Sequence, residues 1–473
     1  MIPLTLAQVA AITGGELRGD PAALVRGDVV IDSRRAGPGG LFAAVAGERA
    51  DGHDFAADAV AAGAVAVLAA RPVGVPSVLV ADVPAALAAL AGFVARSLPA
   101  AQVAGITGSS GKTSTKDLAA ALAGRLGPTV APPGSYNNEL GLPLTVLRAD
   151  EATRYLVLEM SARGAGHIAY LCRIAPPRYG VVLNVGRAHA GEFGGVDQVT
   201  RAKGELAEAL PAAGAAILNA DDPRVAAMAG RTAARVVTFG MAPSPRSPRR
   251  PLPPQPSILA ADVRLDDLGR PSFTLLTPEG AAAVALRLHG AHHVPNALAA
   301  AALARELGLS LDGIAEGLSA AAARSRWRME VRRRADGVTV VNDAYNANPE
   351  SAKAALAALD HLARDGRAFA VLGHMAELGE ISRACHEEVG EFAARVMGPR
   401  LAGLIAVGGG AEGYLAGARR VRPWPGEALA VPDVPAAVAA LGDRLKPGDV
   451  VLVKASRAAG LEAVAAALAE EDR

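Results

Sequence analysis

GITGSSGKT, residues 105–113, follows the apolar run Ala101–Ala104 and leads into the helix-like TSTKDLAAALAGRL of residues 113–126. Strand, glycine loop and helix in that order build a phosphate-binding loop. The loop turns its backbone N–H groups inward and the helix aims its positive end at the anion. Gly108 and Gly111 permit the turn, with Ser109, Ser110 and Ser114 beside them as further phosphate contacts. Lys112 stands where it reaches the β/γ-phosphates, and Thr113 where its hydroxyl meets Mg²⁺. Gly105 to Gly111 spans one residue more than the usual GxxxxGK[ST], which makes Gly108 the turn glycine. A glycine turn that holds nothing has no need of Lys and Thr in register behind a strand. The segment reads as a nucleoside triphosphate site.

A chain of 473 residues has the length of about three domains at ~150 residues each. Lys and Arg total 48 against 47 Asp and Glu, so charge makes no case for a nucleic acid or an anionic membrane as partner. Lysine is confined to Lys112, Lys116, Lys203, Lys353, Lys446 and Lys454. Such sparing use marks each one for work that Arg cannot do, such as forming a covalent adduct. Coding bias is an equally simple source of an Ala-, Gly- and Arg-rich composition. Cys172 and Cys385 are far apart and lack a metal-ligand spacing, which reads as buried free thiols in a reducing compartment. The N-terminus reaches Glu16 and Arg18 too soon for a signal peptide, and no uncharged apolar run approaches the ~20 residues of a membrane span. The expected location is the cytoplasm.

Residues 1–95 mix short strands and helices and read as a small α/β domain. From residue 96 apolar strands recur at Tyr155–Met160, Gly180–Val185, Ala215–Asn219 and Arg235–Phe239, alternating with helical stretches. That rhythm predicts a mostly parallel sheet covered on both faces, in a central domain of residues 96–323. Residues 242–257, APSPRSPRRPLPPQPS, are too rich in proline for a core element and read as a surface loop. Helices are expected at Asn296–Leu307 and Leu311–Ala323. A break at Arg324–Arg328 opens a last domain, residues 324–473. Its strands at Val338–Asn342, Ala368–Leu372, Leu404–Val407 and Val450–Val453 predict a doubly wound, Rossmann-like fold.

Three residues beyond the loop suit a metal-assisted reaction. Glu159 ends the apolar strand YLVLEM, a natural place for a Mg²⁺ ligand beside a phosphate loop. His189 follows the strand GVVLNV on the same sheet edge by topology; a lone histidine is more often structural. Lys203 opens a helix in RAKGEL and by composition reads as a solvated lysine.

Eight segments taken in order carry more. GITGSSGKTSTKDL, YNNELGLPLTVL, VLEMSARGAGHI, NVGRAHAGEFGG, RAKGEL, LNADDPR, NDAYNANP and LVKASR resemble the successive motifs of the Mur ligases, which build the peptide of the bacterial cell-wall precursor. The resemblance runs from about residue 30 to 465. DAYNANP, GSSGKT and MAELGE resemble the member that adds D-alanyl-D-alanine to UDP-N-acetylmuramoyl-tripeptide; the member that adds the third, diamino acid residue shows a DYAHTP-like run instead.

The resemblance implies three α/β domains: a small UDP-substrate domain, the phosphate-loop domain and the doubly wound domain. It implies transfer of the ATP γ-phosphate to a peptide carboxylate, then attack of the incoming amine on the acyl phosphate. Lys112 and Thr113 are then expected to hold ATP and one Mg²⁺, with Glu159 on that ion or its neighbour and His189 on a second. Lys203 matches the lysine that the family carbamylates with CO₂, turning an ammonium into an anionic ligand. Asn296 matches the second Asn of the family's adenine-reading GxHNxxN run, and Arg328 and Asp343 match the arginine and aspartate that meet phosphate and ribose. Ser33, Arg34, Gly47 and His53 fall at the uridine diphosphate end. Asn137 and Asn138 are expected on the sugar-peptide, Tyr345, Asn346 and Asn348 on the nucleotide or acceptor side, and Lys454, Ser456 and Arg457 on a substrate carboxylate.

Three positions depart from the pattern. His293 stands for the usual first Asn of GxHNxxN, His374 for a common acidic residue, and Ala455 for a usual Gly. The expected activity is ATP-dependent ligation by a monomer. The diamino-acid-adding relative and a non-catalytic nucleotide-binding relative are the alternatives.

Overall fold

The computed structural model of the chain describes residues 1–47, 50–187, 194–242 and 257–470. His189 and, but for its end residues, the proline-rich segment 242–257 lie outside them.

Among the described residues, nine strands form the central sheet. From one edge they run Gly280–Ala285, Pro271–Thr277, Ile258–Leu265, Arg235–Met241, Ala215–Asn219, Tyr179–Val182, Gln102–Thr107, Tyr155–Glu159 and Thr129–Val130. The last seven in that order pair in parallel, and their middle members are buried along nearly their whole length, as continuous apolar runs require. The other two add an antiparallel meander at the edge, which the sequence reading did not anticipate. Ile258–Leu265 is buried at Ile258 and Ala260 in its first half and exposed at Asp262 and Arg264 in its second, and Asp262 takes a left-handed φ of 54° where the register shifts.

A five-stranded sheet of residues 16–79 forms the N-terminal part, and a six-stranded sheet of residues 330–454 the C-terminal part. In the latter, Glu330–Arg333 is antiparallel and the other five strands are parallel. The outcome is the expected three-part α/β architecture with mostly parallel sheets.

The parts are not joined alike. Helix Val83–Ser97 starts at an Asp82 cap, whose carboxylate accepts from Ala85 N at 2.8 Å, and runs past residue 95. Its Leu87, Leu90 and Val94 share one apolar cluster with Leu142, Leu147 and Ile168 of the central part. The C-terminal part has apolar clusters on both faces of its sheet, and both contain only residues from Met329 onward. The first two parts are welded by a common core; the third is seated on them by polar contacts. The connection to it is itself constrained: Trp327 and Met329 adopt left-handed φ of 58° and 53° on either side of Arg328.

Candidate active site

The strand Gln102–Thr107 ends in the glycine loop, and helix Lys112–Ala123 begins on Gly111. Gly111 has φ 80°, and a Cβ there would lie 2.4 Å from Asn296 Oδ1. Only glycine fits both the turn and the close approach. Asn296 belongs to helix His293–Glu306, which starts three residues before the expected Asn296. Asn184, past the end of the neighbouring strand, clamps Ser110 from both sides: its Oδ1 accepts from Ser110 N at 2.9 Å and its Nδ2 donates to Ser110 O at 3.2 Å.

This loop lines a cavity of about 520 Å³ between the central and C-terminal sheets. Of the sequence candidates, Ser109, Ser110, Gly111, Lys112, Thr113, Ser114, Asn137, Asn138, Glu159, Asn296, Arg328, Asp343, Asn346, Lys454 and Ser456 all line it. Gly108 lies just behind the lining, its carbonyl accepting from Lys112 Nζ at 2.8 Å. At the centre, Thr113 Oγ1 donates to Glu159 Oε2 at 2.9 Å and accepts from Arg328 Nη2 at 2.8 Å. Asn137 Nδ2 donates to the other Glu159 oxygen at 2.6 Å, and Ser135 Oγ bridges Thr113 at 2.8 Å and Arg328 at 3.1 Å. Tyr345 supports the Arg328 guanidinium from below, with 4.3 Å to the ring centroid.

Glu159 is only 1 % exposed, and its hydrogen-bond donors are neutral groups. A buried carboxylate so placed fits a cation. Lys203 is 2 % exposed and lies well inside helix Val196–Glu208, not at its start. Burial, with help from the nearby charge of Lys112, pushes its pKa well below the ordinary lysine value. That shift favours the uncharged amine, the form that can add CO₂. Thr113 and Glu159 present to the cavity the oxygen donors that suit Mg²⁺, a hard, oxygen-seeking ion, whereas Lys203 is not among the residues that line it.

The C-terminal candidates are held internally as well as facing the cavity. Lys454 Nζ pairs with Asp343 Oδ2 and donates to Asn346 O at 2.9 Å; Ser456 Oγ accepts from Ala376 N at 2.9 Å. Asn348 caps helix Pro349–Leu362 and donates to Ser109 O at 3.3 Å, joining that helix to the phosphate loop. His292 and His293 both present a buried Nδ1 with no hydrogen-bond partner. Burial lowers the pKa of each, His292 to about 4 and His293 well below the ordinary imidazole value, so both rings are neutral at pH 7.

The N-terminal candidates do not line this cavity. Ser33 opens a short 3-10 turn, Arg34 is forked onto Asp32 at 2.9 and 2.8 Å, and Gly47 N donates to Ala50 O at 3.0 Å. His53 gives Nδ1 to Asp51 at 2.6 Å and accepts from Ala70 N on Nε2 at 2.9 Å, which engages both ring nitrogens. The sequence assigned no role to Ser135 and Glu350, which adjoin the motifs quoted above, or to Asn184 and Glu377, which lie within them. Glu377 takes a left-handed φ of 65° on the cavity wall.

Three family models match in order along the chain: the Mur ligase family catalytic domain over residues 28–110, the Mur ligase middle domain over 106–304, and the Mur ligase glutamate ligase domain over 327–457. The UDP-N-acetylmuramoyl-tripeptide–D-alanyl-D-alanine ligase of Mycobacterium tuberculosis is 50% identical, over 100% of this chain and 99% of its own length. The crystal structure of MurF from Acinetobacter baumannii superposes with a TM-score of 0.86 at 31% identity, covering 99% of both chains. MurF from Thermotoga maritima in complex with ADP gives 0.77 at 32% identity, over 94% of this chain and 97% of that one. Matched by three family models in order and, along its whole length, by relatives in sequence and in fold, the chain belongs to the Mur ligase family.

Proposed function

We propose that the chain joins D-alanyl-D-alanine to UDP-N-acetylmuramoyl-tripeptide at the expense of ATP, forming the pentapeptide precursor, ADP and phosphate. One observation carries the reading: a chain half identical end to end with an enzyme of that name brings Lys112, Thr113, Glu159 and Arg328 together around one cavity.

Little bond chemistry falls to the protein. Lys112 and the loop N–H groups hold the triphosphate, and Arg328, fixed by Tyr345 and Ser135, brings a positive charge from the last domain to the transferring phosphoryl group. Asp343 is positioned by Met329 N at 3.1 Å and by Lys454, where it suits a ribose hydroxyl. Asn296 and the neutral His293 suit the base. Mg²⁺ bound by Thr113, Glu159 and carbamylated Lys203 would neutralise phosphate charge; His189 is the candidate for a second ion. Carbamylation itself needs no other reactant: the amine nitrogen adds to CO₂ and releases one proton.

Asn137, Asn138, Asn346 and Ser456 are proposed for the peptide substrates, and Ser33, Arg34, Gly47 and His53 for the uridine diphosphate end. Domain limits of 1–95, 96–323 and 324–473 belong to the same reading, as does a monomer acting in the cytoplasm. No helix among the described residues is long and apolar enough to cross a membrane.

Phosphate release from ATP, measured with UDP-N-acetylmuramoyl-tripeptide and Mg²⁺, tests it. Release that requires D-alanyl-D-alanine and yields the UDP-pentapeptide supports the reading. Turnover driven instead by a diamino acid on the UDP-dipeptide would assign the chain to the preceding step, and ATP binding without turnover to a non-catalytic relative.

A further inference from the structure

Gly186 N donates to Ser109 Oγ at 2.8 Å, so the segment after strand Tyr179–Val182 props the phosphate loop directly. The next residue, Arg187, reaches across to the C-terminal part. Its backbone N–H and its Nε both donate to Glu350 Oε1, at 3.2 and 3.3 Å. Its two terminal nitrogens fork onto the Glu388 carboxylate, Nη2 to Oε1 at 3.0 Å and Nη1 to Oε2. Lys353 adds a second cation to Glu388. Glu350 sits in the first turn of helix Pro349–Leu362, and Glu388 in helix Ser382–Met397. One short segment therefore grips the phosphate loop with one residue and two helices of the last domain with the next.

The grip matters because, among the described residues, no shared apolar core seats that domain. Its other polar contacts with the central part include the turn Asp266–Arg270, where His361 Nε2 meets Asp266 O at 2.7 Å and Arg364 pairs with Asp267, together with Ser325 on Asp117, Arg328 on Thr113 and Ser135, and Asn348 on Ser109. The fork geometry adds direction to charge, which a lysine in its place would not. Glu388, held at about 2 by Arg187, and Arg187, raised by Glu388, both stay ionised through the working pH range.

We propose that Arg187 is a positioning residue of the ligase: its clasp on Glu350 and Glu388 sets the seat of the last domain against the phosphate loop. The clasp is partly exposed, with Arg187 32 % and Glu388 41 % accessible, so salt weakens it. The kinetic part of the proposal rests on the function proposed above; the conformational part does not.

Small-angle scattering of the full chain, with and without a non-hydrolysable ATP analogue, reads the seat. In low salt Arg187→Glu is expected to enlarge the radius of gyration relative to the parent, and 0.5 M salt, which screens the attraction in one and the repulsion in the other, to bring the two closer together. In turnover, Arg187→Glu is expected to raise KM for ATP and for the acceptor roughly tenfold, with kcat within about threefold, and Arg187→Lys to fall between. Arg187→Ala combined with Glu388→Gln should cost little more than Arg187→Ala alone. Circular dichroism melts establish folding, and Glu388→Gln carries the same scattering test if the Arg187 variants do not fold. Unchanged scattering, additive losses in the double variant, or a fall in kcat at constant KM would each overturn the proposal. A parent that lacks ligase turnover refutes the function and leaves the scattering result standing.

Discussion

At the scale of single residues, burial decides what a side chain is for. Lys203 has the same chemistry as any lysine, yet inside helix Val196–Glu208 it is cut off from water and sits near the Lys112 charge. Between its lowered native pKa and the ordinary lysine value of about 10.4, the native state binds fewer protons there than the unfolded chain. Stability therefore grows as pH rises through that window and is lost as it falls. Thermal melts from pH 7 to 9.5 should show this slope in the parent and a shallower one in Lys203→Met. Lys203→Arg should cost at least about a hundredfold in kcat, since a guanidinium forms no carbamate. At His293 the unpartnered Nδ1 next to Asn296 gives a different expectation: His293→Ala should raise KM for ATP roughly tenfold and leave KM for both peptide substrates unchanged. Initial rates with each substrate varied in turn separate the two cases.

At the scale of elements, helix starts do the positioning. The central sheet delivers Thr107, Glu159 and Asn219 to one edge because its strands are parallel, and the helix after the glycine loop turns its N-terminus toward the same edge. Asn348 shows how such a start couples two domains. Its side chain accepts from Ser351 N at 2.8 Å and donates to Ser109 O, so cap and interdomain contact are one residue. Asn348→Ala should lower stability by about 1 kcal/mol for the lost cap. It should also weaken ATP binding several-fold, a change that a cap with no contact across the cleft would not cause. Chemical denaturation and equilibrium nucleotide titration measure the two effects separately.

At the scale of the molecule, the welded and the seated domains should behave differently. A fragment of residues 1–323 keeps the shared core around Leu87, Leu90, Leu142 and Ile168 and is expected to stay folded and monodisperse. Fragments cut between residues 95 and 96 split that core and should aggregate or unfold; size exclusion and circular dichroism distinguish these outcomes. The C-terminal part, with its own apolar clusters, should melt as a separate calorimetric transition. If the last domain moves as a body, the expected pivot is the connection near Arg328, where Trp327 and Met329 hold left-handed φ.

The phosphate loop, the α/β alternation and the order of motifs were legible in the sequence because each depends on local facts. Glycines at a turn, apolar runs of strand length and a Lys-Thr pair at a helix start are all set within about ten residues. The edge meander Ile258–Ala285 was missed because its half-exposed, bulged strands carry a weaker pattern than buried parallel ones. What the sequence by itself determined was therefore the class of fold and the residues able to meet ATP. Only the tertiary structure decided that Lys203 is buried with its pKa driven down, that both ring nitrogens of His53 are engaged in its own domain, and that Asn296 packs on Gly111. It alone joined Arg187 to Glu350 and Glu388, and Arg328 to Thr113, across separations of 163, 201 and 215 residues. Desolvation and long-range charge pairing exist only once distant segments have closed on one another, and no local pattern records them.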